Sequence, residues 1–158
     1  MSSPFILPLR AVQVVFSIIV LGLTAYVVNA FTSPYGYDWS PDSVDFLLFC
    51  SIWTLLAVAY LVVAPSRFPN LAHKYAILGV EAITMIFWFA GWVAVATLWG
   101  DWHCGSHGGW CGAGTAAIVF GAFIWLTFVF TTVMAALHVK NTARGDTRAP
   151  PEMQAQGV

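Results

Sequence analysis

Charge is what this chain has least of. Six Lys/Arg and seven Asp/Glu make up 8% of its 158 residues, against about a quarter in soluble domains. So few charges cannot cover a soluble domain of this size, which excludes an ordinary cytosolic enzyme and a basic nucleic-acid binder. The 59% apolar content excludes a disordered protein. Catalytic signatures are missing as well: no G-x-S-x-G, no H-E-x-x-H, no Walker loop and no glycosylation sequon. Cysteine is scarce, at three residues. What the chain has instead is apolar length, with a mean hydropathy of +0.79.

Four apolar runs stand out, at residues 11–31, 46–64, 75–98 and 113–138. Three hold no Asp, Glu, Lys or Arg, and the third holds only Glu81. Each matches the roughly 20 residues that a helix needs to span a bilayer. Barrel strands are shorter and alternate in polarity. A buried soluble core is the other reading, but the remaining residues could not enclose four such helices. Val28-Asn29-Ala30 loosely resembles a cleavage site, yet the first run is longer than a secretory h-region. An uncleaved first helix is expected. The predicted architecture is an all-α membrane protein, a four-transmembrane-helix bundle over 11–138. A short lead at 1–10 and a disordered tail at 139–158 flank it.

The cations set the orientation. Arg10, Arg67, Lys74, Lys140, Arg144 and Arg148 fall in the lead, the loop between the second and third runs, or the tail. The other two loops, 32–45 and 99–112, carry Asp38, Asp42, Asp45 and Asp101 and no cation. The positive-inside rule then predicts both termini in the cytoplasm. Lys140, Arg144 and Arg148 fall short of an anionic-lipid cluster by themselves and read as topology determinants.

Tyr35, Tyr37, Trp39, Trp99, Trp102 and Trp110 fall at or near the outer helix ends, where an interfacial aromatic belt is expected. A platform for a protein partner or a sterol is the sharper alternative. Ala113, Ala117 and Gly121 recur every four positions, as do Ala90 and Ala94. Such small residues let membrane helices approach closely. They are expected to pack the third helix on the fourth, with a second copy of the chain as the rival occupant.

Cys104 and Cys111 share the second outer loop. On an oxidising face a disulfide is expected. Metal ligation by His103, Cys104, His107 and Cys111 is a second possibility, though the spacing fits no standard zinc pattern. Two free thiols are the third. Cys50 reads as a small apolar residue. Glu81 is the one acid inside a span, and charge at membrane depth usually faces the bundle interior. Gln13, Ser17, Tyr60, Thr131 and Thr132 lie at a comparable depth. A structural hydrogen-bonded carboxyl is favoured over an ion or proton relay, because no chain of ionisable groups continues outward. Gly112-Ala113-Gly114-Thr115-Ala116-Ala117 matches a dinucleotide fingerprint by chance, since no strand precedes it. His73 and His138 flank spans and read as interfacial. No metal, cofactor or catalytic set is expected.

Three places resemble the fungal branch of the MARVEL domain, a four-helix membrane module. The stretch Glu81-Ala82-Ile83-Thr84-Met85-Ile86-Phe87-Trp88-Phe89-Ala90 is similar to its third helix. The loop with Cys104 and Cys111 is similar to its paired-cysteine loop. Ala116-Ala117 and Phe120-Gly121-Ala122-Phe123-Ile124-Trp125 are similar to its fourth helix. Claudins carry their signature in the first outer loop, which here has no cysteine, and the tetraspanin Cys-Cys-Gly motif is absent. The resemblance implies a non-enzymatic organiser of membrane domains or vesicle traffic in the plasma membrane or secretory pathway. Membrane lipids, sterol among them, further copies of the chain or another membrane protein are the implied partners, and nucleic acid is not. An accessory subunit of a membrane enzyme or transporter is the alternative reading. A channel or transporter in its own right is the third.

Overall fold

A computed structural model describes residues 6–32, 40–67, 74–104 and 109–146. They form four helices: α1 (Ile6–Thr32), α2 (Asp42–Arg67), α3 (Lys74–Asp101) and α4 (Trp110–Asp146). Each is long and apolar enough to cross a membrane. The helices pack in a ring, α1 on α2, α2 on α3, α3 on α4 and α4 back on α1.

The buried positions explain the packing. On α1 they are Arg10, Gln13, Ser17, Val20, Thr24 and Val27, and on α3 Glu81, Thr84, Trp88, Gly91, Val95 and Trp99. On α4 the same alternation of three and four runs through Gly114, Ala117, Gly121, Ile124, Phe128 and Thr131. On α2 it runs through Val44, Leu47, Ser51, Thr54, Val58 and Leu61. That spacing keeps one narrow seam of each helix on the bundle axis. The opposite faces carry exposed Val15, Ile18, Leu56, Ile86, Leu126 and Phe130. The ordering inverts a soluble bundle: polar groups hydrogen-bond inside and apolar groups cover the outside.

Two boundaries differ most from the sequence expectation. Helix α1 starts at Ile6 rather than at residue 11. Pro8 sits in its first turn, where the missing N–H has no partner to lose. Helix α4 runs to Asp146, so the first part of the expected disordered tail, 139–146, is helical. Lys140, Ala143 and Arg144 are good helix formers, and no Gly or Pro interrupts the run before Gly145.

Asp42 and Asp45 stand in the first turn of α2, where a carboxylate complements the helix dipole. Helix α3 ends in a Schellman motif. The Cys104 N–H donates to the Trp99 carbonyl and the His103 N–H to the Gly100 carbonyl, both at 3.2 Å. His103 takes the left-handed conformation, with φ of 50°, that glycine usually fills.

Candidate functional site

Hydrogen bonding is concentrated in one half of the core, toward the end where α1 begins and α4 finishes. Glu81 is 1% exposed. The Arg10 guanidinium crosses the bundle axis from α1 and donates through Nη2 to Glu81 Oε1 on α3. Thr131 on α4 donates to Glu81 Oε2 at 2.7 Å. Arg10 Nη1 also donates to the Gln13 side-chain carbonyl at 2.9 Å. One carboxylate thus ties three helices together, and its charge is matched within the core. Isolated charge in hydrocarbon is costly, so pairing with further hydrogen bonds is what makes this burial tolerable.

The next turns continue the pattern. Trp88 Nε1 donates to Thr54 Oγ1 at 2.8 Å, and Trp53 Nε1 donates to Thr84 Oγ1 at 3.0 Å. Both bonds join α2 to α3. Each threonine hydroxyl donates in turn to a carbonyl of its own helix, Thr54 to Cys50 and Thr84 to Val80. The core is therefore pinned in register by side-chain bonds across helices. The Gln13 side-chain nitrogen, also buried, has no hydrogen-bond partner among the described residues.

Sequence reasoning singled out Glu81, Gln13, Thr131 and Tyr60 at this depth. The structure brings the first three into one cluster. Gln13 reaches Glu81 only through Arg10, and Tyr60 is half-buried on α2. The partner that sequence reasoning missed is Arg10, which it assigned to topology. Arg10 is 9% exposed and belongs to the core. A signal was present: Arg10, Gln13, Ser17 and Thr24 share one helical face, a polar stripe on an otherwise apolar segment.

At the other end, a disulfide joins Cys104 to Cys111 with the Cα atoms 5.5 Å apart. It ties the residue just past the α3 cap to the first turn of α4 and engages both sulfurs. His107 lies outside the described residues. Among the described residues no three His, Cys, Asp or Glu side chains group as a metal site. Cys50 is buried and free.

Trp99 corrects the interfacial expectation. It is 4% exposed, donates to the Cys111 carbonyl at 3.1 Å and packs directly on the backbone of Gly114. Its position on the inward seam of α3, in the last turn of the helix, keeps it inside. Trp102 and Trp110 are partly exposed and cluster with Trp99 and Phe31 at ring separations of 5.2–6.0 Å. Tyr35, Tyr37 and Trp39 lie outside the described residues.

The small-residue expectation needs a second correction. Ala117 and Gly121 sit on the buried seam, but Ala113 and Ala94 are only partly buried and Ala90 is exposed. A four-residue repeat drifts around a helix of 3.6 residues per turn. The close approaches are made by glycines in the three-four alternation, the expected Gly121 and, outside the expected set, Gly91. A Cβ on Gly91 would meet Leu47 Cδ1 at 2.9 Å, and one on Gly121 would meet Trp92 Cβ at 3.1 Å.

A four-span helical bundle with this arrangement can be compared with known families. The family model MARVEL, described as a membrane-associating domain, matches residues 4–134. The chain belongs to the MARVEL family. The match takes in α1, α2, α3 and α4 through Met134, so the Arg10–Glu81–Thr131 cluster lies wholly inside the MARVEL domain. A search of curated proteins finds no match. Membership makes this an integral, multi-pass, membrane-associated protein.

Proposed function

We propose that this MARVEL protein is a non-enzymatic membrane organiser. It acts as a scaffold in membrane-domain organisation or vesicle traffic, at the plasma membrane or in the secretory pathway. The observation that carries the reading is the inverted bundle. Polar groups within the spans bond one another, through Arg10, Glu81, Thr131, Trp88 and Thr54. The outer faces are left apolar on all four helices. Such a surface works through lateral contacts, with lipids (sterol among them), with further copies of itself or with another membrane protein.

Both termini lie on the cytoplasmic side in this reading. The Lys/Arg distribution supports it. The disulfide at the opposite end supports it too, since thiols pair on the oxidising side. Protection of the C-terminal tail from protease in sealed native vesicles is the expected result; cleavage there without permeabilisation would reverse the orientation.

The function is tested by gentle-detergent purification from native membrane, with mass spectrometry of the bound proteins and lipids. Homo-oligomers or larger arrays that re-form after dilution into vesicles support the organiser. One-to-one recovery with a single large catalytic subunit would replace it with an accessory-subunit role. Ion flux in liposomes that is lost in Glu81→Gln, with the fold retained, would make the protein a conductor.

A further inference from the structure

The hydrogen bonds between helices fix the axial register, and the register places the charges. Thr131 is level with Glu81, and Thr54 with Trp88, because each pair is bonded side chain to side chain. Along α3, Lys74 stands seven residues before Glu81, about 10 Å at 1.5 Å per residue. Along α4, Lys140 stands nine residues beyond Thr131, about 14 Å in the same direction. Arg67 is thirteen residues beyond Thr54, about 20 Å, while Lys74 is fourteen before Trp88, about 21 Å. Three cations from three adjacent helices therefore lie within about 4 Å of one level.

The acids obey the same arithmetic at the other end. Asp42 and Asp101 stand twelve and thirteen residues from the Thr54–Trp88 level, about 18–20 Å away. Basic and acidic levels are thus roughly 40 Å apart, beyond the ~30 Å hydrocarbon core and within the ~40–45 Å that includes the headgroups. Each set sits at headgroup depth, one in each leaflet.

Composition alone made the basic residues topology signals on loops and a disordered tail. The structure changes that in two ways. Helix α4 continues past Lys140, so this cation is held on a helix beside α3. Arg67 and Lys140 are exposed, and Lys74 is half-buried with its Nζ 5.6 Å from the centre of the Tyr75 ring. Among the described side chains at this end the one acid is Glu81, which is buried and paired with Arg10. The exposed cations face no described acid, and the lipid-facing surface above them, with Ile83, Ile86 and Phe130, suits acyl chains.

We propose that Arg67, Lys74 and Lys140 form a headgroup-level ring that binds anionic phospholipid in the leaflet on that side. The ligand chemistry is a phosphodiester with net negative charge on a diacyl lipid. The acidic level disfavours the same lipid in the opposite leaflet. The proposal rests on the organiser reading only for the membrane setting, and it gives that organiser a preferred lipid.

The test uses the full chain in phosphatidylcholine vesicles at a dilution where it does not self-associate, so it is independent of any scaffold assay. Spin-labelled phosphatidylserine and spin-labelled phosphatidylcholine compete for the immobilised lipid shell. One basic residue near an anionic headgroup is worth roughly fivefold, so about fivefold selectivity for phosphatidylserine is expected. It should fall toward unity in Arg67→Gln/Lys74→Gln/Lys140→Gln and at high salt. It should persist in Asp42→Asn/Asp45→Asn/Asp101→Asn, which removes three charges at the opposite end and controls for folding. Equal immobilisation of the two lipids by the wild type, or undiminished selectivity in the cation variant, would overturn the proposal. So would full displacement by soluble glycerophosphoserine, which would make this a site for free phosphoesters.

Discussion

Removing Arg10 is expected to damage the bundle more than neutralising Glu81, although the two form one ion pair. The asymmetry comes from depth. Arg10 lies four residues into α1, about 6 Å from its start, while Glu81 lies seven residues into α3, about 10 Å from its start. In Glu81→Gln the side chain can still accept hydrogen bonds, and the long Arg10 side chain can turn its head toward the headgroups. The loss is the difference between charged and neutral hydrogen bonds, about 1–2 kcal/mol. In Arg10→Met the Glu81 carboxylate stays buried without its cation, which costs about 3–5 kcal/mol. The double variant Arg10→Met/Glu81→Met removes both charges, and the Thr131 hydroxyl can turn its one proton to the Phe128 carbonyl, 3.2 Å away. It should return to within about 1 kcal/mol of wild type. Unfolding by added dodecyl sulfate in mixed micelles, followed by the emission of the eight tryptophans, supplies the free energies. The cycle of Arg10→Met, Glu81→Met and the double variant should give a coupling of roughly 3 kcal/mol or more. Additive losses within about 0.5 kcal/mol would show that the pair does not hold the helices together, and would refute the reasoning.

Three further expectations use the same assay. Gly114→Ala forces a methyl into the Trp99 ring and should cost about 1–3 kcal/mol. Gly22→Ala meets no atom within 4 Å and should stabilise α1 by about 0.5–1 kcal/mol; equal losses at both sites would contradict the close approach at Gly114. His103→Gly relieves the left-handed residue of the α3 cap and should raise stability by about 0.5–1 kcal/mol, whereas a loss would place the value of His103 in its side chain. Reducing Cys104–Cys111, which closes a loop of sequence separation 7, should lower stability by about 2.5 kcal/mol on the chain-entropy account. Non-reducing mass spectrometry that found both thiols free, or no change of midpoint with reductant, would count against a disulfide in the native protein.

Much of the fold could be read directly from the chain. Uninterrupted apolar runs of bilayer length specify membrane helices, because in lipid every backbone group must be satisfied within its own segment. The paired cysteines and the inward-facing acid were visible as residue types. What failed was the assignment of faces. Ala90 and Trp99 were assigned from spacing and from position near a helix end, and both went to the other environment. Arg10 was read as a surface cation because it borders the first run, although the polar stripe of Gln13, Ser17 and Thr24 marks its helix face.

By itself the sequence determined the number of spans, their approximate bounds and the asymmetry of charge between the two ends. Those properties follow from hydrophobic length and from local composition, which need no partner. The tertiary structure decided which helix face points inward, that Arg10 answers Glu81 across 71 positions of chain, and that Arg67, Lys74 and Lys140 share one level. Those are relations between helices. They depend on how side chains interlock along the bundle axis, and no single segment contains that information.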